Sequence, residues 1–381
     1  MNSKERVRIA MERGLPDRVP WGEFAIDYDT VERIVGHETY VRAKARCQLA
    51  IWEGRRDEMV QSLKEDGIAL FRALADVLDL INLNSMYFAK VPPKGYRADG
   101  PTRIDDLTYQ YSDGRVLRYS EITGDFAIVE DPHRWTREFR EEELLAEASE
   151  EPEDESCYEV IDAIVSEFGH DKYIIGPMPM APELPLLGGM ERGLLEMATN
   201  PDLVDRCVQR GLEMKERRMV SWRNRGYDAT LTATDFGAQR ASLMSPSMFR
   251  RFCLPGIAAN VQAAHQAGLK YVKHTCGNNW SLLPMFTEIG VDCYQSVQES
   301  AGMDTAEVKR RYGDRMTIWG GVQVEHLVSG TPEDVRRDVR RAMRVAGEGG
   351  FILGASHSIA VGTRYDNFMA MLDEFVRLRD R

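Results

Sequence analysis

Short apolar runs of the length of a β-strand recur along the chain, and stretches with helical features separate them. Eight such runs are bounded by turn residues and cover positions 19–24, 67–72, 173–179, 229–237, 271–277, 291–297, 316–322 and 351–357. Regular alternation of strands with helices is typical of parallel βαβ units. The pattern therefore predicts an α/β fold, a (β/α)8 TIM barrel.

Three of the intervening helices have recognisable starts, because a capping side chain stands directly before a proline. These pairs are Asn200-Pro201, Ser245-Pro246 and Thr331-Pro332. Asp334 follows Thr331 at the spacing of a capping box. A further helical segment is predicted at the N-terminus, before the first strand.

The longest interval separates the second and third strands. Within it, residues 109–120 form two alternating runs around Asp113-Gly114, a strong signal for a β-hairpin. We predict one domain over residues 1–381, with residues 85–165 inserted as a hairpin and an acidic segment. The glycines follow neither the Rossmann nor the P-loop pattern, so a nucleotide site of either kind has no support.

The net charge of the 381-residue chain is -12, from 61 acidic and 49 basic residues. Nine acidic and no basic side chains fall within residues 141–155, which leaves a net charge of -3 for the remainder. Nucleic-acid binders and basic membrane-surface proteins need an excess of cations to meet phosphate groups. We therefore expect no nucleic-acid or membrane partner, and a small-molecule substrate instead.

The sequence also indicates a cytoplasmic protein. The N-terminus is dense in charge and lacks the apolar core of a secretory signal, and no apolar run approaches the roughly 18 residues of a membrane span. The six cysteines form no C-x-x-C pair, as expected for reduced thiols in a reducing compartment. The oligomeric state stays open.

The most informative polar residues follow the strands, because active sites of such barrels lie at the C-terminal ends of the strands. His274 and Cys276 are two residues apart in a predicted strand, so both side chains point to the same face. His357 ends the last strand, which is adjacent to the first in a closed barrel. Three protein ligands and an open position describe a catalytic zinc site. The alternative is a buried cysteine beside a hydrogen-bonded histidine.

Other polar residues at strand ends are candidates for substrate binding and catalysis. Asp235 ends a run of small and β-branched residues, where an inward carboxylate needs solvent, a partner or a metal. We interpret Asp235 as a substrate-binding or acid–base group, with helix capping as the alternative. Glu23 is a candidate substrate-binding residue, a fourth metal ligand or a base, or else half of a salt bridge. Predicted substrate contacts also include Gln239, Gln298 and Gln323.

Four stretches resemble the uroporphyrinogen decarboxylase superfamily, and most closely its branch of zinc-dependent methyltransferases that act with corrinoid proteins and thiols. They cover residues 5–24, 235–278, 319–339 and 349–371. The resemblance implies a somewhat distorted barrel with one deep pocket at its C-terminal face. In that branch a His-x-Cys pair and a distant Cys hold zinc, and the pair corresponds to His274 and Cys276. The third position corresponds to His357, so a histidine replaces the family's cysteine.

Two departures limit what the resemblance implies. The decarboxylases carry arginines after the first strand in a motif resembling R-Q-A-G-R-Y, whereas this chain reads GEFAIDYDTVERI over residues 22–34. The chain also lacks the D-x-H-x-x-G stretch that binds cobalt in corrinoid domains. Decarboxylation of a tetrapyrrole is therefore disfavoured, and any corrinoid is expected on a separate partner protein.

Three functional hypotheses remain at this point. The first is a zinc-dependent methyltransferase that moves a methyl group between a small donor or thiol acceptor and the corrinoid partner. The second is a metal-free decarboxylase or lyase acting on a small carboxylated substrate, with Asp235 and His357 as catalytic groups. The third is a barrel that binds a ligand without catalysis. The fold alone does not distinguish them.

Overall fold

The computed structural model describes residues 1–136, 154–187 and 189–379. Most of the acidic segment noted in the sequence, residues 141–153, lies outside the described residues. The described helices are α1 (Ser3–Met11), α2 (Tyr28–Val35), α3 (Lys44–Trp52), α4 (Arg56–Ala73), α5 (Glu159–Phe168), α6 (Met190–Thr199), α7 (Pro201–Ser221), α8 (Pro246–Phe252), α9 (Leu254–Gln266), α10 (Leu283–Glu288), α11 (Thr305–Tyr312), α12 (Val324–Ser329), α13 (Pro332–Val345) and α14 (Tyr365–Arg379).

A curled sheet of seven parallel strands forms the centre of the structure. The strands, in spatial order, are β1 (Leu80–Asn82), β6 (Tyr173–Ile175), β7 (Ala229–Thr232), β8 (Lys270–His274), β9 (Cys293–Gln295), β10 (Thr317–Val322) and β11 (Phe351–Ala355). Six of the eight predicted runs overlap one of these strands. The α/β class and the parallel arrangement predicted from the sequence are therefore correct.

The first predicted run, residues 19–24, contains no regular strand. Trp21 makes single parallel bridges to Leu78, just before β1, and to Leu353 in β11. The backbone N–H of Asp79 donates to the carbonyl of Trp21 at 2.8 Å, and that of Gly22 donates to the carbonyl of Leu353 at 3.1 Å. This extended segment thus contacts both edges of the sheet, while a complete eight-stranded barrel stays a prediction.

The second predicted strand, residues 67–72, is wrong, because these residues lie in helix α4. The buried residues Met59, Leu63, Gly67 and Leu70 recur every three or four positions and form one face of that helix. The apolar run GIALFR is the end of this helical stripe, and a short apolar run does not distinguish a helix from a strand by periodicity. The strand that does form there, β1, has only three residues.

A second sheet follows β1 in the chain. Its four antiparallel strands are β2 (Thr102–Arg103), β3 (Thr108–Gln110), β4 (Val116–Ser120) and β5 (Asp125–Glu130). β3 and β4 pair around Asp113-Gly114, with Tyr109 opposite Leu117. Gly114 has a φ of +86°, the left-handed conformation that a tight hairpin turn requires of one residue.

The predicted helix starts also occur in the structure. α7, α8 and α13 each begin at the proline. The Ser245 hydroxyl accepts a hydrogen bond from Met248 N, and Thr331 forms the capping box with Asp334. Asn200 makes no side-chain cap.

Helix α1 packs against the N-terminal ends of the parallel strands. A buried cluster joins it to inward-facing residues of the sheet, and its members are Val7, Ala10, Met11, Phe24, Ala25, Leu80, Tyr173, Ile175, Ala229, Leu231, Val272, Cys293, Trp319 and Ile352. The Thr317 hydroxyl, at the start of β10, donates to the carbonyl of Ala10 at 2.7 Å. The core thus fills the interior from this end and leaves the C-terminal ends of the strands for a site.

None of the six cysteines, all of which lie in the described part of the chain, forms a disulfide. Among the described residues, no helix combines the length and apolar character needed to cross a bilayer.

Candidate functional site

Three donor side chains meet at the C-terminal ends of β8 and β11. One ligand atom from each of His274, Cys276 and His357 lies within 4.8 Å of the others. His274 is the last residue of β8, on the same face as the inward-facing Val272. Cys276 Sγ is 3.4 Å from His274 Nε2. The structure therefore brings together the three residues predicted as zinc ligands, and their binding of a metal stays a prediction.

The hydrogen bonds of His274 fix which ring nitrogen carries the proton. Gln295, at the end of β9, donates from Nε2 to the carbonyl of Ala355 at 3.2 Å, so its Oε1 is an acceptor. That oxygen contacts His274 Nδ1, which must then carry the hydrogen. The lone pair of His274 Nε2 is left facing Cys276. A histidine whose one ring N–H is hydrogen-bonded and whose other nitrogen has a free lone pair has the form of a metal ligand.

The environment also keeps the His274 ring neutral. Burial lowers its pKa to about 4, the hydrogen bond to Gln295 opposes this shift, and the nearby His357 adds to it. His357 is largely buried too, and its pKa is likewise lowered by burial. Two neutral imidazoles are the form in which histidine binds metals. The donor set therefore fits a borderline metal such as zinc.

Cys276 has the opposite requirement, because it binds a metal as a thiolate. Burial raises its pKa to about 12, and the negative charge of Asp235 adds to this effect, while a hydrogen bond with Ser296 opposes it. Without a nearby cation the thiol is therefore protonated at neutral pH. A bound metal ion supplies the positive charge that ionises such a thiol.

Asp235 lies beside this thiol and faces solvent on one side. Its Oδ1 accepts a hydrogen bond from Cys276 N at 2.7 Å and lies 3.7 Å from His274 Nε2. The loop after β7 and the loop after β8 touch at two glycines: a Cβ added at Gly277 would lie 2.3 Å from the carbonyl carbon of Gly237. Gly277 also has a φ of +81°. This close approach holds the Asp235 carboxylate against the backbone of Cys276.

Glu23 is buried near the end of β11. Its Oε2 accepts a hydrogen bond from Ala355 N at 2.9 Å, two residues before His357. Burial raises the pKa of Glu23 to about 8, and the hydrogen bond from Ala355 N opposes the shift. Glu23 is therefore held mostly as a neutral carboxylic acid at pH 7. The salt bridge to an arginine, one of the alternatives weighed for this residue, is not seen among the described residues.

This raised pKa predicts a pH dependence of stability. Between the unfolded pKa near 4.5 and the folded value near 8, the folded chain binds more protons at Glu23 than the unfolded chain, so stability falls as pH rises through this range. Glu23→Gln stays neutral throughout. We expect the free energy of unfolding of metal-free wild type, measured with urea, to fall relative to Glu23→Gln from pH 5 to pH 8. A constant difference across that range would contradict the expectation.

The three predicted substrate glutamines link loops in this structure. Gln239 Nε2 donates to the carbonyl of Ser300, and Gln298 Oε1 accepts from Gly277 N at 2.9 Å. Gln323 Oε1 accepts from Glu299 N at 3.1 Å. Within the described part of the chain, the buried Nε2 of Gln323 has no hydrogen-bond partner. Contact of these glutamines with a substrate stays a prediction.

Sequence reasoning missed two residues that contact the group of three donors. The Phe24 ring stacks on the His274 imidazole with ring centroids 4.1 Å apart. The Ser296 hydroxyl lies 3.2 Å from Cys276 Sγ, and Ser296 adopts a φ of +78°, which is uncommon for a residue with a side chain. Such strain is typical of functional sites. Ser296 follows the end of β9 directly, and that position was the signal available in the sequence.

A comparison with known protein families assigns the chain. Residues 120–377, more than half of its length, match the family described as Uroporphyrinogen decarboxylase (URO-D). The chain belongs to the uroporphyrinogen decarboxylase family. The resemblance noted from the sequence is thereby confirmed, and the site described above lies within the matched region except for Glu23 and Phe24.

One relative of this member of the uroporphyrinogen decarboxylase family, and one solved structure of similar fold, are described as methyltransferases. A methylated-thiol–coenzyme M methyltransferase of Methanosarcina mazei is 30% identical over 134 residues, which is 34% of this chain and 33% of that protein. The match thus spans about a third of the relative's length. A solved structure of a methyltransferase from Methanosarcina mazei superposes on this chain with a TM-score of 0.63. The superposition covers 99% of each chain, and the two sequences are 17% identical. That likeness concerns the fold.

Proposed function

We propose that the protein is a zinc-dependent methyltransferase that moves a methyl group between a small thiol or methylated donor and a corrinoid carried by a separate protein. The observation that carries this proposal is the convergence of His274, Cys276 and His357 within 4.8 Å at the open end of the curled sheet. The methyltransferase relative in the same family supports the reaction class. We further propose that the extended segment at Trp21 closes the sheet into a barrel, so that the site has a single mouth.

Each residue of the site has its own role in the proposed reaction. His274, Cys276 and His357 would hold the ion, which when bound supplies Lewis acidity and lowers the pKa of a substrate thiol. Asp235, half-exposed beside them, is placed to accept the proton that leaves the thiol. Phe24 covers one face of His274 and excludes water from that side.

Glu23 has a different part in this proposal. Because burial keeps its carboxyl group protonated near neutral pH, it offers a hydrogen-bond donor and adds no negative charge to the pocket. A neutral pocket wall favours a substrate without a cationic group near this position. The Oε1 atom of Glu23 has no hydrogen-bond partner among the described residues, and this free oxygen supports the proposed contact with a substrate.

The proposed reaction has a direct optical test. Zinc-loaded wild type is mixed with methylcobalamin and a panel of thiols, and cobalamin absorbance reports loss of the cobalt–methyl bond. We expect turnover with at least one thiol, and a rate at least 10²-fold lower in Cys276→Ser, because losing a metal ligand removes the Lewis acid. Cys207→Ser, a similarly half-buried cysteine in α7, is the matched control and should behave as wild type.

Two outcomes would overturn parts of the proposal. Folded wild type that binds no zinc would refute the proposed zinc site. Turnover of a carboxylated substrate without metal would favour the decarboxylase alternative. If zinc-loaded protein does not demethylate methylcobalamin with any thiol, the methyl transfer between corrinoid and thiol would be refuted, but the metal site would not.

A further inference from the structure

A chain of hydrogen bonds lies behind His357, outside the group of three donors. The Ser358 hydroxyl is 3.0 Å from His357 Nδ1 and donates to Asp27 Oδ2 at 3.3 Å. Asp27 Oδ1 in turn accepts from Arg42 Nε at 2.7 Å. Asp27 and Ser358 are 4% and 1% exposed, so water does not compete for these contacts. The chain runs from a guanidinium to an imidazole through a carboxylate and a hydroxyl.

The direction of these hydrogen bonds determines the tautomer of His357. An ionised carboxylate only accepts, and a serine hydroxyl has a single hydrogen to donate. Because Ser358 donates that hydrogen to Asp27, its oxygen is left to accept from His357 Nδ1–H. His357 Nε2 is then the nitrogen with a free lone pair. The tautomer of each histidine is thus set by different groups: the side-chain amide of Gln295 for His274, and the hydroxyl of Ser358 with the carboxylate of Asp27 for His357.

The backbone of Arg42 shows that this arrangement is held under strain. Arg42 has a φ of +59°, a left-handed conformation that is unfavourable for a non-glycine residue. Its guanidinium also donates to the carbonyl of Ser85 at 2.7 Å, in the turn that follows β1. Arg42 therefore ties Asp27 to a second loop at the same end of the sheet, and the surrounding contacts maintain the strained backbone.

We propose that Asp27 and Ser358 are positioning residues that fix His357 as an Nε2 metal ligand and increase its basicity. The donor set contains one anionic ligand, Cys276, and two neutral imidazoles. A carboxylate linked to an imidazole through hydrogen bonds passes part of its negative charge to the ring and strengthens it as a ligand. Asp27 thus compensates for the low anionic charge of the three donors. This inference rests on the metal-binding part of the proposed function.

The first test uses the tautomer and needs no metal. In metal-free protein with ¹⁵N-labelled histidine, long-range ¹H–¹⁵N correlation spectra distinguish the two tautomers, and His357→Ala identifies the signal. We expect Nδ1–H for His357 in the wild type and a mixture of tautomers in Ser358→Ala. Ser356→Ala is the matched control, because this serine is equally buried two residues away and its hydroxyl bonds Val324 N instead. An Nε2–H tautomer in the wild type would overturn the proposal.

The second test uses Co²⁺, whose absorption spectrum reports its ligands. We expect Ser358→Ala and Asp27→Asn to bind Co²⁺ 10- to 100-fold more weakly than wild type, the range usual for loss of a residue that orients a metal ligand. Ser356→Ala should bind as wild type. Equal affinity in wild type and Ser358→Ala, with both folded, would overturn the proposal even where Asp27→Asn fails to fold.

The two tests separate this inference from the function it rests on. Wild type that binds no Co²⁺ but holds His357 as Nδ1–H would refute the metal site while supporting the hydrogen-bond chain. Wild type that binds Co²⁺ with His357 as Nε2–H would refute the chain while supporting the metal site.

Discussion

We expect His274→Ala to lower the zinc content of the protein from about one ion per chain to a small fraction of that. Zinc sites with four protein ligands contribute roughly 10–16 kcal/mol, or about 3 kcal/mol for each ligand, which corresponds to about two orders of magnitude in affinity. Elemental analysis of protein purified without chelators measures the result. Because the remaining Cys276 thiol has a pKa raised by burial, the loss of a cation should also leave it protonated.

The control for this experiment is another histidine outside the site. The His265 ring in helix α9 is hydrogen-bonded to Asp292 at 2.6 Å, so His265→Ala also removes an imidazole that has a polar partner. We expect full zinc content in that variant. Full zinc content in folded His274→Ala would show that the metal lies elsewhere and would refute the assignment of this site.

The thermal stability of His274→Ala without metal should also be measured. The substitution removes the stacking of Phe24 on the imidazole and leaves Gln295 Oε1 without its donor. A buried acceptor that loses its partner costs about 1–3 kcal/mol. If the free energy of unfolding falls by more than that, the milder variant His274→Gln should be used before zinc content is interpreted.

Much of the site was predictable because it depends on a two-residue period. His274 and Cys276 lie two positions apart where a strand ends, and this spacing alone indicates a shared face. His357 could also be predicted from the sequence, because parallel strands end at the same edge of a sheet. The pairing of Asp235 with Cys276 N, by contrast, depends on the contact between Gly237 and Gly277, two residues 40 positions apart with no local signal.

The errors in the fold have a single physical origin. Residues 67–72 are apolar because one face of helix α4 is buried, whereas β1 is buried on both faces but has only three residues, too few to show a period. The segment around Trp21 forms one bridge on each side, so its sequence carries little strand pattern. Tertiary contacts, and not local propensity, placed both segments. The residues behind His357 escaped prediction for the same reason, because Asp27 and Ser358 are over 300 positions apart.

A buried ion pair outside the pocket underlies the largest expected effect on stability. Lys273, on the outward face of β8, is fully buried, and its Nζ lies 2.6 Å from Oε2 of Glu183, which is 3% exposed. Glu183 Oε1 also accepts from the hydroxyls of Tyr271 at 2.5 Å and Thr232 at 2.7 Å. Burial alone would raise the pKa of Glu183, but the charge and hydrogen bond of Lys273, together with the hydrogen bonds from Tyr271 and Thr232, outweigh burial and lower the pKa. The carboxylate therefore stabilises the fold above its unfolded pKa, and this contribution is lost as pH falls through the lower folded value.

We expect Glu183→Ala to lower the free energy of unfolding by about 3–5 kcal/mol at pH 7, because the substitution leaves the Lys273 ammonium buried without a counter-charge. Equilibrium unfolding in urea, with and without bound zinc, measures the change. The double variant Glu183→Leu with Lys273→Met should recover most of the loss, since replacing both charges by apolar groups of similar size removes the uncompensated charge. Because Lys273 adjoins His274 in β8, the single variant should also bind zinc more weakly than the double variant. A loss below 1 kcal/mol in Glu183→Ala would mean that water or another carboxylate reaches Lys273, and the pair would then have no part in holding His274 in place.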